Sequence, residues 1–264
     1  MKKDLILAIS TCPNDTFIFS PMILNFIEHP YNFKTLLDDV EVLNNLAIAG
    51  IPDIVKVSYG VLPKIIDKYT VLKSGGALSF GYGPVVVSKN YYNINELYGK
   101  KIAVPGFNTT AFNIFKRFYG DNFDFIQLRF DKIIPAILDD NVDAGLLIHE
   151  GRFVYKNYGL NLLSDLGEEW DKKYSAPIPL GAIVVRREIL DMANNINNII
   201  KNSILYSKNN MQLVYPFIKK YAQELDDEVL EKHISAFVNE NSFDMSKYID
   251  VIVDFLGVSE KDFV

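Results

Sequence analysis

The sequence predicts an α/β protein of two similar lobes, and three observations carry that prediction. Short apolar runs alternate with segments of helical apolar spacing from residue 5 to about residue 186, as in strand–helix–strand architecture. One supersecondary unit occurs twice. Residues 46–58 read as helix, Gly50, Asp53, apolar strand and Ser58, while residues 134–149 read as helix, Asn141, Asp143, apolar strand and His149. From Glu188 onward the chain reads as helix alone, without parallel-sheet signals. The expected arrangement is a discontinuous first lobe, residues 1–89 and 179–264, whose helical tail covers it. A second lobe, residues 90–178, is inserted, and the doubling suits two lobes facing a cleft.

Taken in order, residues 5–10 are a short apolar strand and 11–16 a turn. Helical spacing runs from Phe17 to Ile27, with Asn14 or Asp15 as N-cap and Pro21 in the first turns. That unit sets a helix N-terminus at the carboxyl edge of the sheet, a favourable place for an anion. Asn14 and Asp15 either cap the helix or face a ligand. Residues 33–37 read as strand, 40–49 as helix closed by Gly50, 53–58 as buried strand and 59–69 as helix. Lys56 interrupts the apolar strand, where an unpaired cation is costly, so it pairs with a carboxylate or reaches a ligand. Residues 70–73 and 84–88 are strands around a glycine-rich link, Gly75 to Gly83. The link lacks the GxxxxGK[ST] spacing of a P-loop, and its glycines read as turn residues.

The second lobe opens with a short helix and turn at 91–99, a strand at 101–104, a turn at 105–110 and a helix at 111–119. Asn108 or Thr109 caps that helix. Thr109 and Thr110, with free backbone N–H groups, form a carboxylate or phosphate cradle unless they serve capping alone. A strand at 125–130 and a helix at 133–138 lead to Gly145-Leu-Leu-Ile-His-Glu-Gly-Arg152. This reads as a buried parallel strand that stops on His149. Ligands of open α/β sheets bind past the carboxyl ends of the strands, so His149 is the leading candidate for chemistry. Residues 160–166, a Trp170-bearing acidic stretch and a return crossing at Pro177, Pro179 and Gly181 follow. A strand at 182–186 and helices at 194–208, 211–221, 227–237 and 245–255 complete the chain.

The net charge of −6 excludes a general nucleic-acid binder and leaves any anionic ligand to local groups. The single cysteine excludes an intrachain disulfide framework, and His29, His149 and His233 lack metal-ligand spacing. No metal or dinucleotide site is expected. A nucleophilic pair of Cys12 with His149 is conceivable, but Cys12 precedes a proline in a turn and reads better as a small buried residue. Imidazole suits proton transfer near neutrality, which favours His149 as a base. Arg152 either binds a carboxylate or forms a salt bridge, and His29 and His233 read as structural. The apolar run after Lys2 and Lys3 is too short for an export signal, and no segment is long enough to span a bilayer. The expected location is cytoplasmic.

Six stretches together resemble the 1,4-dihydroxy-6-naphthoate synthase family of the futalosine route to menaquinone. They are Ser10-Thr-Cys-Pro-Asn-Asp-Thr-Phe-Ile-Phe19, Lys56-Val-Ser-Tyr59, Lys73-Ser-Gly-Gly-Ala77, Val104-Pro-Gly106 with Thr109-Thr110, Ile148-His-Glu150 with Arg152-Phe153, and Pro179-Leu-Gly-Ala182. Thr11 stands where that family often has proline. The resemblance implies a two-lobe periplasmic-binding-protein-like fold of type II. It also implies cofactor-free cleavage of cyclic dehypoxanthinylfutalosine to 1,4-dihydroxy-6-naphthoate. His149 would be the general base of a retro-aldol-like step, with substrate contacts at Lys56, Val57, Ser58, Thr109 and Thr110. The expected partner is a carboxylated small molecule, with no nucleic acid, no stable membrane association and a possible homodimer. Chorismate dehydratase of the same route and a non-catalytic solute-binding protein are the competing readings. The Cys-Pro-Asn-Asp and Ile-His-Glu motifs favour the synthase.

Overall fold

The structure, a computed structural model, describes residues 2–222 and 225–264. In chain order its elements begin with β1 (Lys3–Ser10), α1 (Pro13–Ile23), β2 (Tyr31–Asp38), α2 (Val40–Ala49), β3 (Ile54–Ser58), β4 (Tyr69–Ser79) and β5 (Val85–Ser88). Next come β6 (Lys101–Val104), α3 (Thr110–Tyr119), β7 (Asp124–Gln127), α4 (Ile133–Leu138), β8 (Ala144–Leu147) and α5 (Gly151–Val154). After them lie β9 (Asn161–Asp165), α6 (Leu166–Tyr174), β10 (Ile178–Arg186), α7 (Ala193–Asn209) and α8 (Met211–Tyr221). The chain finishes with α9 (Asp227–Phe237), α10 (Glu240–Phe243) and α11 (Ile249–Leu256). Among the described residues no helix is long and apolar enough to cross a membrane.

Two units emerge, Met1–Leu78 with Gly181–Val264, and Ser79–Leu180. The first carries a five-stranded sheet of order β2-β1-β3-β10-β4, the second one of order β7-β6-β8-β5-β9. The two orders correspond strand for strand. In each, a central strand lies parallel to one neighbour (β3 to β1, β8 to β6) and antiparallel to the other (β3 to β10, β8 to β5). The first boundary therefore falls well before residue 89. Val85–Ser88 is hydrogen-bonded to β8 and β9, which fixes it in the second sheet.

Alternation on β1 divides the core of the first unit between the two faces of its sheet. Leu5, Leu7 and Ile9 join the cluster containing α1 and α7 residues such as Phe17, Ile18, Ile196 and Ile200. Ala8 joins Leu43 and Ala47 of α2 on the other side. Helix α1 is buried nearly all along its length and packs on α7, α8 and α9 of the helical tail.

Three local expectations change. Helix α1 starts at Pro13, whose missing N–H is harmless in a first turn, and not at Phe17. Asn14 and Asp15 consequently lie inside the helix and are not its caps, and Pro21 falls near its end. Residues 59–69 form only a 3-10 turn, Tyr59–Lys64, before β4 begins. The glycines at 75 and 76 sit within β4 and not in a turn. Gly75 has φ 80°, and a Cβ there would lie 2.8 Å from Ile183 Cγ1.

The repeated unit is also real in detail. Asp53 Oδ2 accepts the Ile6 N–H at 2.7 Å, and Asp143 Oδ2 accepts the Lys101 N–H at 2.9 Å. Each aspartate thus ties the start of a central strand to its parallel neighbour. Counting five residues from either aspartate pairs Ser58 with Ile148, so His149 lies one residue beyond the equivalent strand end.

Gly145 lets α4 rest directly on β8. A Cβ at this position would meet Ile133 Cγ2 at 2.3 Å and Ile137 Cδ1 at 2.8 Å. Gly145→Ala is expected to destabilise the protein by about 1–3 kcal/mol through overpacking. Urea unfolding measures this, and an unshifted midpoint would contradict the packing of α4 on β8.

Candidate active site

In the first unit the predicted residues Lys56, Val57 and Ser58 lie at the carboxyl end of β3. Their roles differ. Val57 is fully buried in the α2-side core and pairs with Ala182 of β10, so its side chain serves packing. Lys56 is buried on the opposite face and extends to Asp15, with Nζ 2.8 Å from Oδ1 and 3.4 Å from the Gly75 carbonyl. Of its three N–H donors, two are spent. The cost of burying this cation is offset by the carboxylate, one of the two alternatives that the strand pattern left open.

Ser58 is held by Asn44 of α2. The Asn44 amide donates to Ser58 Oγ at 3.2 Å and accepts the Ser58 N–H at 2.9 Å, and its second N–H goes to Glu41 Oε2. The serine hydroxyl accepts from Asn44 and keeps its own proton for another acceptor. Asn44 escaped the sequence reading, although it lies on the stripe Val40, Leu43, Asn44, Ala47. A polar residue on an inward stripe is the signal that could have found it.

In the second unit Thr109, Thr110 and His149 follow the adjacent parallel strands β6 and β8. Thr109 is the N-cap of α3, accepting the Phe112 N–H at 3.2 Å and donating to the Gly106 carbonyl at 2.7 Å. Thr110 donates its hydroxyl proton to the Leu180 carbonyl at 2.9 Å. Both hydroxyl protons are spent, so what this end can offer an anion is the helix dipole and its first backbone N–H groups. His149 has φ 53°, the left-handed region that few non-glycine residues adopt. Its ring stands edge-on to Phe130, with centroids 4.9 Å apart. Strain of this kind concentrates at functional sites.

Other candidates make contacts within their own unit. Cys12 is buried at the N-cap of α1, with its N–H on Ser10 Oγ. Arg152 pairs with Asp165 at 2.8 Å and donates to the carbonyls of Gly81 and Gly83. His29 bonds the Met22 carbonyl.

Residues 5–257 match the family described as menaquinone biosynthesis. Two relatives, from Thermus thermophilus and Streptomyces coelicolor, both named 1,4-dihydroxy-6-naphthoate synthase, are 37% and 36% identical over 91% of this chain and 88% and 87% of theirs. The chain belongs to the menaquinone-biosynthesis family. Its fold agrees with an X-ray structure of an Archaeoglobus fulgidus protein (TM-score 0.90, 32% identity, 96% of this chain and 95% of that one). The alkanesulfonate-binding protein of Xanthomonas axonopodis pv. citri shares the fold at 10% identity (TM-score 0.71, 99% and 98% covered). The periplasmic-binding-protein-like fold implied by the motifs is therefore present.

In this member of the menaquinone-biosynthesis family, Glu150 adds a feature the strand alternation missed. Strand β8 ends at Leu147, and Glu150 lies half-buried in the turn ahead of α5. Burial, reinforced by the charge of Asp131, pushes its carboxyl from 4.5 up to about 7. The folded state thus holds the proton more tightly than the unfolded chain. Stability from this group is fully present below 4.5 and is lost as pH rises through about 7. Glu150→Gln should abolish that fall, giving a melting temperature that changes less between about pH 5 and pH 8 than the parent's. Parallel melting curves for the two proteins would refute the shift.

Proposed function

We propose that this protein is a 1,4-dihydroxy-6-naphthoate synthase, a cytoplasmic lyase that converts cyclic dehypoxanthinylfutalosine to 1,4-dihydroxy-6-naphthoate. The observation that carries the reading is the identity of 37% over 91% of the chain to a relative of that name. In the proposed step His149 removes a hydroxyl proton from the sugar-derived part of the substrate. The O–H electron pair becomes a carbonyl as the neighbouring carbon–carbon bond breaks. The electrons of that bond pass into the ring system, which aromatises as the sugar-derived fragment leaves.

The substrate contacts are proposed at Lys56, Val57, Ser58, Thr109 and Thr110, with distinct chemistry at each. The remaining Lys56 N–H and the unspent Ser58 proton supply donors to carboxylate or hydroxyl oxygens. Val57 offers only its backbone. The start of α3, capped by Thr109, supplies N–H groups and a positive dipole end for an anion. Purified protein incubated with cyclic dehypoxanthinylfutalosine, and separately with chorismate, tests the activity. Turnover of chorismate alone would replace the synthase with the dehydratase.

His149→Ala should lower kcat by about 10²–10⁴, the usual contribution of a general base. Single-turnover kinetics on the folded variant measure the loss. A rate within a few-fold of the parent would remove His149 from the mechanism.

A further inference from the structure

Asp15 is saturated by four donors, all of them inside the first unit. Oδ1 accepts from Lys56 Nζ and from Asn14 Nδ2, each at 2.8 Å, and Oδ2 accepts from Ser10 Oγ at 2.6 Å and the Ser10 N–H at 3.4 Å. A carboxylate can only accept, so the Asn14 amide must turn its nitrogen toward it. Reversing that amide would set two oxygens against each other at the same distance. Asn14 Oδ1 is thereby committed to the other side, where His233 Nε2 of α9 lies at 3.0 Å. An amide oxygen cannot donate, so His233 Nε2 carries a proton. The order of the relay is His233 to Asn14 to Asp15, with Lys56 at its end.

The lysine is confined from a second direction. A Cβ at Gly181 would lie 2.6 Å from Lys56 Cε, so the stem leans across this glycine toward the strand's carboxyl end. Lys56, Asp15 and His233 are 4%, 1% and 1% exposed, so the line is held by protein groups and is shielded from bulk solvent.

We infer that Asn14 and His233 are positioning residues that aim the Lys56 ammonium at the substrate through Asp15. The part of this that concerns binding rests on the proposed reading of Lys56 as a substrate contact. The direction of the relay stands apart from it. Glutamine can place an N–H where the imidazole Nε2–H lies, whereas leucine cannot, so the two substitutions separate hydrogen bonding from packing.

Three measurements test the inference on the full chain. In ¹⁵N-histidine spectra of the unsubstituted protein at neutral pH, His233 should carry a proton on Nε2. A deprotonated Nε2 would overturn the relay whatever the enzyme's activity. His233→Leu should raise KM about tenfold with kcat within a few-fold, and His233→Gln should recover most of that loss, the size of one displaced charge-assisted hydrogen bond. Unchanged KM in a folded His233→Leu protein, or glutamine no better than leucine, would overturn positioning. Lys56→Met divides the two claims. If it leaves KM unchanged, the substrate-contact reading fails, whereas a raised KM beside an inert His233→Leu convicts the relay.

Discussion

A lysine ammonium set on a strand whose residues are all buried is the constraint on which the first unit depends. Every residue of β3 is buried, as suits a central strand with cores on both faces. A cation there is tolerable only with a carboxylate at hydrogen-bond distance. Asp15 meets that need because only two residues separate the end of β1 from the start of α1, which brings its first turn beside β3. Removing one member of such a buried pair typically costs about 3–5 kcal/mol, since the other charge stays behind unpaired. The need explains the glycine at 181 as well, because any side chain there would occupy the path of the lysine stem.

The two units share a sheet order and a strand-anchoring aspartate, but they finish their central strands differently. In the first, β3 runs on to Ser58, whose backbone and hydroxyl are both fixed by Asn44. In the second, β8 stops at Leu147 and the chain turns back through a left-handed residue at His149. One strand ends on a hydroxyl fixed by an amide, the other leads into an imidazole in a left-handed turn, next to a carboxyl whose burial raises its pKa.

Much of the fold was legible. The alternation of strands and helices, Gly50 and Thr109 as helix boundaries, and Asp53 and Asp143 as marks of a repeated unit all follow from local rules of periodicity and capping. Errors arose where long-range pairing overrides such rules. Residues 75 and 76 read as turn glycines because nothing local reveals that β10 and α7 press against β4 there. Residues 85–88 joined the wrong lobe because strand partners are chosen by the sheet and not by neighbouring sequence.

For the site, the sequence by itself read His149 and Ser58 at strand ends and Lys56 within a buried strand, and its motifs pointed to the right family. It also required a partner for Lys56, since an isolated buried charge is unphysical in any fold. Only the tertiary structure decided that the partner is Asp15, that Asn14 and His233 extend the line, and that both threonine hydroxyl protons are already spent. The physical reason is that a hydrogen bond joins residues by distance and direction. Asn14 and His233 are far apart in the chain, and no periodicity records that two helices bring them to 3.0 Å.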